Sequence, residues 1–131
     1  MTYLSRFNLT TFQKEHIADH TQTRREKLIA GIKTQYLVLD AALAGDEYLV
    51  PTRKGLSEYA VPAWFFAQNG GYYVQCRYGT RPLFLDGNRN AIYVRSLPEV
   101  RLVLDAFTSA GQCGELDDAI NEAIHRRRIK S

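Results

Sequence analysis

The stretch Ala63-Trp64-Phe65-Phe66-Ala67-Gln68-Asn69-Gly70-Gly71-Tyr72-Tyr73-Val74-Gln75-Cys76-Arg77-Tyr78 decides the fold class. Rings and apolar residues flank Asn69-Gly70, and a type I′ turn needs positive φ at both central positions, which Asn and Gly tolerate best. With that turn, Gln68 pairs with Gly71. Ala63, Phe65, Ala67, Tyr72, Val74 and Cys76 then share one face of the hairpin, and Trp64, Phe66, Tyr73, Gln75 and Arg77 share the other. A three-residue turn using Gly71 would shift the register and reshuffle both sets.

Two more strands follow. Arg81–Asp86 puts Leu83 and Leu85 on one side and Phe84 on the other. Gly87-Asn88-Arg89-Asn90 is turn chemistry. Ala91–Arg95 turns Ile92 and Val94 inward and Tyr93 and Arg95 outward. Four short strands joined by short turns predict an antiparallel meander.

On either side of the strands the period becomes helical. Thr23-Arg24-Arg25-Glu26 fits a capping box, and Leu28, Ile29, Ile32, Tyr36, Leu39 and Leu43 recur at three and four residues, which predicts a helix over Thr23–Ala44 closed by Gly45 at C′. Residues 46–58 form a connector, with one short strand offered at Glu47–Val50. Ser96-Leu97-Pro98-Glu99 is a second capping box; Val100, Val103, Leu104 and Phe107 form the face of a helix that Gly111 ends. A last helix runs from about Glu115 with Leu116, Ile120, Ala123 and Ile124 as its stripe, acids in its first turn and arginines in its last. The fold class is therefore α+β: an antiparallel four-stranded meander flanked by a long N-terminal helix and two C-terminal helices. Residues 1–20 read as a loosely ordered N-terminal arm and 21–131 as one domain.

Composition agrees. At 131 residues, with 45% apolar and 24% charged, the chain matches an ordinary globular domain and lacks the signature of disorder. Met1-Thr2-Tyr3-Leu4-Ser5-Arg6 is not followed by the continuous apolar run of a signal peptide, and no window suits a membrane helix. Cys76 and Cys113 match no C-x-x-C spacing. One long-range disulfide is an alternative to the simpler reading of two buried thiols, and a cytoplasmic setting fits best.

Chemistry-bearing motifs are few. His16 and His20 stand four apart, as a metal pair would, with Glu15 or Asp19 as a third ligand, but Ile17 occupies the place of the Glu in H-E-x-x-H and no distant ligand set completes a site, so two solvated histidines are favoured and no metal or cofactor is expected. There is no phosphate-binding P-loop and no nucleophile elbow. Cys113 is about three turns along a helix from His125, too far for a dyad. No general acid or base is assigned, and the chain is not read as an enzyme.

Charge is more informative. The net charge is +3, and it is uneven: residues 1–34 hold six Lys/Arg and three Asp/Glu, residues 35–124 hold seven and eleven, and Arg126, Arg127, Arg128 and Lys130 crowd residues 125–131 without an acid. Basic ends suit an anionic partner, although arginines also complement a helix C-terminus. The second hairpin face places Trp64 and Tyr73, with Phe66, Phe84 and Tyr93, beside Arg77 and Arg95, an arrangement that could stack bases and hold phosphates. The competing reading is that these rings lie beneath the long first helix as core.

The aromatic run Trp64-Phe65-Phe66, then Arg77-Tyr78-Gly79, Leu83 and Leu85, Asn90-Ala91-Ile92-Tyr93-Val94 and Gly114-Glu115-Leu116-Asp117, with Arg24 and Arg25 at the first helix, resembles a family of small uncharacterised proteins of bacteria and their phages. The likeness covers about three quarters of the chain. It implies a phage or mobile-element setting and brings no activity with it. The expectation is a non-enzymatic accessory protein binding nucleic acid through Trp64, Tyr73, Arg77, Arg95, Arg126, Arg127 and Arg128. The alternative is a protein-binding inhibitor of a host complex, such as an anti-defence or anti-CRISPR factor.

Overall fold

The computed structural model describes residues 20–130, with side chains through Arg126. The expected N-terminal arm and His16 fall outside these residues. Over the described residues the chain is α+β, with three long helices and short antiparallel strands. Helix α1 spans Thr21–Leu43, β1 Leu49–Pro51, β2 Glu58–Ala60, β3 Phe65–Gln68, β4 Gly71–Val74, β5 Arg77–Tyr78, β6 Arg81–Pro82 and β7 Ile92–Val94; a 3-10 turn at Leu97–Glu99 leads into α2 at Val100–Cys113, and α3 is Asp117–Lys130.

Helix α1 starts two residues before the position the capping box marked. His20 is its N-cap, its carbonyl accepting from the Arg24 N–H at 2.9 Å, so Thr23 lies within the first turn and caps nothing. At the other end the Gly45 N–H donates to Ala42 and the Asp46 N–H to Ala41, the paired bonds that satisfy the last carbonyls of a helix. Leu28, Ile32, Gln35, Val38 and Leu39 form the buried stripe. Burying each of its four aliphatic side chains contributes about 1.5–3 kcal/mol.

Helix α2 buries Val100, Val103, Leu104, Phe107 and Gly111. The expectation that Gly111 ends the helix is corrected. Gly111 lies inside it, where a Cβ would stand 3.2 Å from the side chains of both Leu28 and Ile29, so it lets α1 and α2 approach closely. Gly114 ends the helix instead, at φ 90, with the Glu115 N–H donating to Ala110 at 2.9 Å. The second capping box is not realised: Ser96 is the N-cap of the 3-10 turn, but its hydroxyl donates to the Glu99 carboxylate at 3.1 Å and accepts no backbone N–H. In and beside α3, Leu116, Ile120 and Ala123 are buried as expected.

The expected single meander is divided into pieces. β3, β4 and β7 make a three-stranded antiparallel sheet in the order β3-β4-β7; β1 pairs with β2, and β5 with β6. The segment from Gly71 to Tyr78 changes partner midway. The Gln75 N–H donates to Trp64, whereas the Cys76 carbonyl accepts from Leu83, both at 2.8 Å. β6 is only two residues long, and Pro82 has no N–H to offer a strand on the side away from β5. The core gathers Leu28, Ile32 and Leu39 from α1, Phe65 and Val74 from the sheet, Cys76 and Leu83, and the buried faces of α2 and α3. Among the described residues, no helix is long and apolar enough to cross a membrane.

Polar clamps tie the helices. Arg25 donates from Nε to both Asp117 oxygens at 3.0 and 3.2 Å, joining α1 to α3. Arg101 pairs with Asp40, and the Tyr36 hydroxyl donates to Asp105, joining α1 to α2. Burial and then the Asp105 carboxylate raise the Tyr36 hydroxyl above its ordinary pKa.

Candidate nucleic-acid interface

The hairpin register is the one the Asn-Gly turn predicts: Gln68 pairs with Gly71, Phe66 with Tyr73 and Phe65 with Val74. Asn69 at φ 55 and Gly70 at φ 79 provide the two positive angles. β7 then adds Tyr93 opposite Tyr73. Phe66, Tyr73 and Tyr93 therefore run side by side across three strands on one face. Phe66 and Tyr73 stack with centroids 5.8 Å apart, and Tyr73 meets Tyr93 edge-on at 5.1 Å. Phe66 is 41% exposed and Tyr93 43%.

The row is held in place by the turn. The Asn69 side-chain amide donates to the Tyr73 hydroxyl at 2.9 Å, and the Tyr93 hydroxyl donates to the Asn69 carbonyl at 3.0 Å. Gly71 lies under Tyr93: a side chain there would meet the Tyr93 ring, its Cζ 2.7 Å from an added Cβ. The ring covers the glycine's backbone and supplies the packing the glycine lacks. The opposite face carries Phe65 and Val74 into the core. Arg95 is exposed just beyond the end of β7.

Trp64 does not join this row. It lies before the start of β3 and is buried, with its six-membered ring 3.1 Å from where a Cβ of Gly31 would stand. The alternative that rings lie beneath the first helix therefore holds for Trp64 and fails for Phe66, Tyr73 and Tyr93. Gln35 fixes the tryptophan's backbone: its Oε1 accepts from the Trp64 N–H at 2.9 Å, and its Nε2 donates to the Pro62 carbonyl at 3.0 Å. Arg77 is half-buried and donates from Nε and Nη2 to Gln75 Oε1 at 3.1 and 2.8 Å. Trp64 and Arg77 do meet elsewhere, lining with Lys27 a cleft of about 310 Å³ between α1 and the β5–β6 hairpin.

Arg126 is engaged in packing. It bonds the Pro82 carbonyl at 3.0 Å, pairs with Glu122 at 3.0 Å and lies 4.2 Å over the Phe84 ring, so it fastens α3 to the β6 segment and covers Phe84. The backbones of Arg127 and Arg128 continue α3, and their side chains lie outside the described residues. Of the seven expected site residues, Tyr73 stands in the open aromatic row and Arg95 on the exposed surface, Trp64 and Arg77 share a separate cleft, and Arg126 is structural.

Lys27 and Gln35 are additions from the structure. Gln35 had a signal, since a polar residue continuing the spacing of Leu28, Ile32 and Leu39 must satisfy its amide inside the core. Lys27 had none. Among the described residues no group of three or more His, Cys, Asp or Glu side chains could hold a metal. Both cysteines are unpaired with each other; Cys76 is buried as expected, and burial pushes its thiol up to about 12. Cys113 is exposed, which corrects the expectation of two buried thiols. Compared with protein-family models, curated proteins and solved structures, the chain matches none.

Proposed function

We propose that this chain is a non-enzymatic nucleic-acid-binding protein that stacks unpaired bases on Phe66, Tyr73 and Tyr93. The observation that carries the reading is the open row of three rings on an antiparallel sheet, held rigid by the Asn69 turn. Every base has a π-face, so such a platform accepts single strands of any sequence, at about 1–3 kcal/mol per stacked base. Arg95 and the basic C-terminal run supply charge for phosphates, within a chain of net charge +3. An accessory role in a phage or mobile-element setting is part of this proposal, and its support is the resemblance of the sequence to small phage and bacterial proteins. A salt titration with a single-stranded oligonucleotide tests the reading. Affinity falls linearly in log–log form, and Arg95→Ala reduces the slope by about one; an affinity independent of salt contradicts it.

A second reading has its own support. Leu49, Leu56 and Tyr59 on and between β1 and β2 are exposed, Leu56 at 86%. Apolar groups exposed along a hairpin, with Leu56 at its tip, suit a protein partner, as an inhibitor of a host complex would need. A partner captured from nuclease-treated bacterial lysate and lost on Leu56→Glu favours this reading over the first.

A further inference from the structure

The cleft between α1 and the β5–β6 hairpin is lined by two cations, Lys27 from the helix and Arg77 from the hairpin, and by no carboxylate among the described residues. Elsewhere Arg25, Arg101 and Arg126 each close on an acid. Among the described residues, Lys27 and Arg77 do not. The Lys27 ammonium lies 4.6 Å from the centre of the Tyr78 ring, and Arg77 spends its Nε and Nη2 on the neutral Gln75 amide. Those contacts hold both cations at the cleft without neutralising them. An anion entering the cleft would meet both positive charges at once.

The remaining walls suit a phosphate. Thr80 brings a hydroxyl, while that of Thr34 donates to the Ala30 carbonyl at 3.1 Å, and Trp64 with Gly31 forms an apolar side. The volume of about 310 Å³ lies near the lower end of small-molecule sites, which run to about 1,000 Å³. That leaves room for a phosphate with its attached sugar. We propose that this cleft binds one phosphate group, with Lys27 and Arg77 as its opposed charges and the Thr80 hydroxyl as a donor. The inference deepens the nucleic-acid reading and rests on it only for the source of the phosphate, which a free sugar phosphate or one linkage of a strand could equally supply.

The chain has a single tryptophan, and it lines this cleft, so its fluorescence reports on occupancy directly. The probes are inorganic phosphate and ribose 5-phosphate, titrated against chloride at matched ionic strength, and a labelled single-stranded oligonucleotide followed by anisotropy. A saturable change in Trp64 emission with the phosphate probes is expected. Lys27→Gln and Arg77→Gln should each weaken it roughly tenfold, the scale of one charge-assisted hydrogen bond. Arg89→Gln, on the exposed turn, should leave it unchanged. Lys27 is exposed, so Lys27→Gln remains informative should Arg77→Gln loosen the hairpin. No saturable response to either phosphate probe, or an undiminished response in Lys27→Gln, overturns the proposal. A phosphate response without oligonucleotide binding upholds the cleft and refutes the strand as its source. Oligonucleotide binding with no phosphate response refutes the cleft alone.

Discussion

The Tyr93 hydroxyl donates to the Asn69 carbonyl at 3.0 Å, so the turn between β3 and β4 anchors a ring 24 residues further along the chain. Asn69 does this from φ 55, a conformation that costs an ordinary L-residue about 1–2 kcal/mol. Asn69→Ala should therefore lower stability by about that amount in urea unfolding, whereas Asn69→Gly stays within about 0.5 kcal/mol. Both lose the amide bond to Tyr73, so the gap between them isolates the backbone. Equal losses in the two variants would show that the turn is not what holds the row.

Gln35 is the buried polar residue of α1 and is 2% exposed. Its amide serves the Trp64 N–H and the Pro62 carbonyl at once. Gln35→Leu fits the apolar stripe but orphans both backbone groups, each at about 1–3 kcal/mol. A total loss of about 2–4 kcal/mol is expected from denaturant melts, with altered Trp64 emission. A variant as stable as the parent would mean that the chain before β3 is held by packing alone.

Much of this architecture could be read in advance, for reasons specific to each residue. Asn69-Gly70 announced its turn because few residues tolerate two successive positive φ angles, and the register followed from it. The α2 and α3 stripes were legible because periodicity records burial directly. Trp64 was assigned to the wrong surface because alternation applies only within a strand, and β3 begins one residue later, after a bend that Gln35 holds through a contact 29 residues distant. Gly111 read as a stop because a glycine near a helix end serves either a left-handed cap or close packing, and only Leu28 and Ile29 decide between them. The aromatic row was legible as a face. Its openness was not, since that depends on where α1 lies. The pairing of Lys27 with Arg77 across a cleft joins residues 50 apart and left no local trace.

Asp117 links the start of α3 to α1. The hydrogen bonds from Arg25 hold its carboxyl below the usual carboxylate range. A depressed pKa contributes stability above the unfolded value of about 3.9 and loses it as pH falls through the folded one. Asp117→Asn should thus melt below the parent near neutrality, and the two should converge in acid. Gly114→Ala should weaken the same clamp, because φ 90 strains any side chain and a Cβ there would stand 2.5 Å from Arg25 Nη2. A loss of about 1–2 kcal/mol in chemical unfolding is expected. A gap between Asp117→Asn and the parent that persists undiminished into acid would remove the carboxylate from the account.

The two thiols should behave differently towards a disulfide reagent at mildly alkaline pH. Cys76 is fully buried with its thiol pushed up to about 12, and Cys113 is exposed. The thiolate is the reacting form, so one equivalent should titrate in the native protein and two after unfolding. Two fast equivalents in the native state would mean that the core around Cys76 opens readily.

The most direct test of the central claim is the affinity of a short, labelled single-stranded oligonucleotide for the parent and for Phe66→Ala, measured by fluorescence anisotropy at one fixed salt concentration. Phe66 is 41% exposed at the end of the row, so its loss should leave the fold intact. The account predicts saturable binding that Phe66→Ala weakens by about 1–3 kcal/mol, on the order of 5- to 150-fold. Absence of binding, or equal affinity in the two proteins, would contradict base stacking on the Phe66–Tyr73–Tyr93 face.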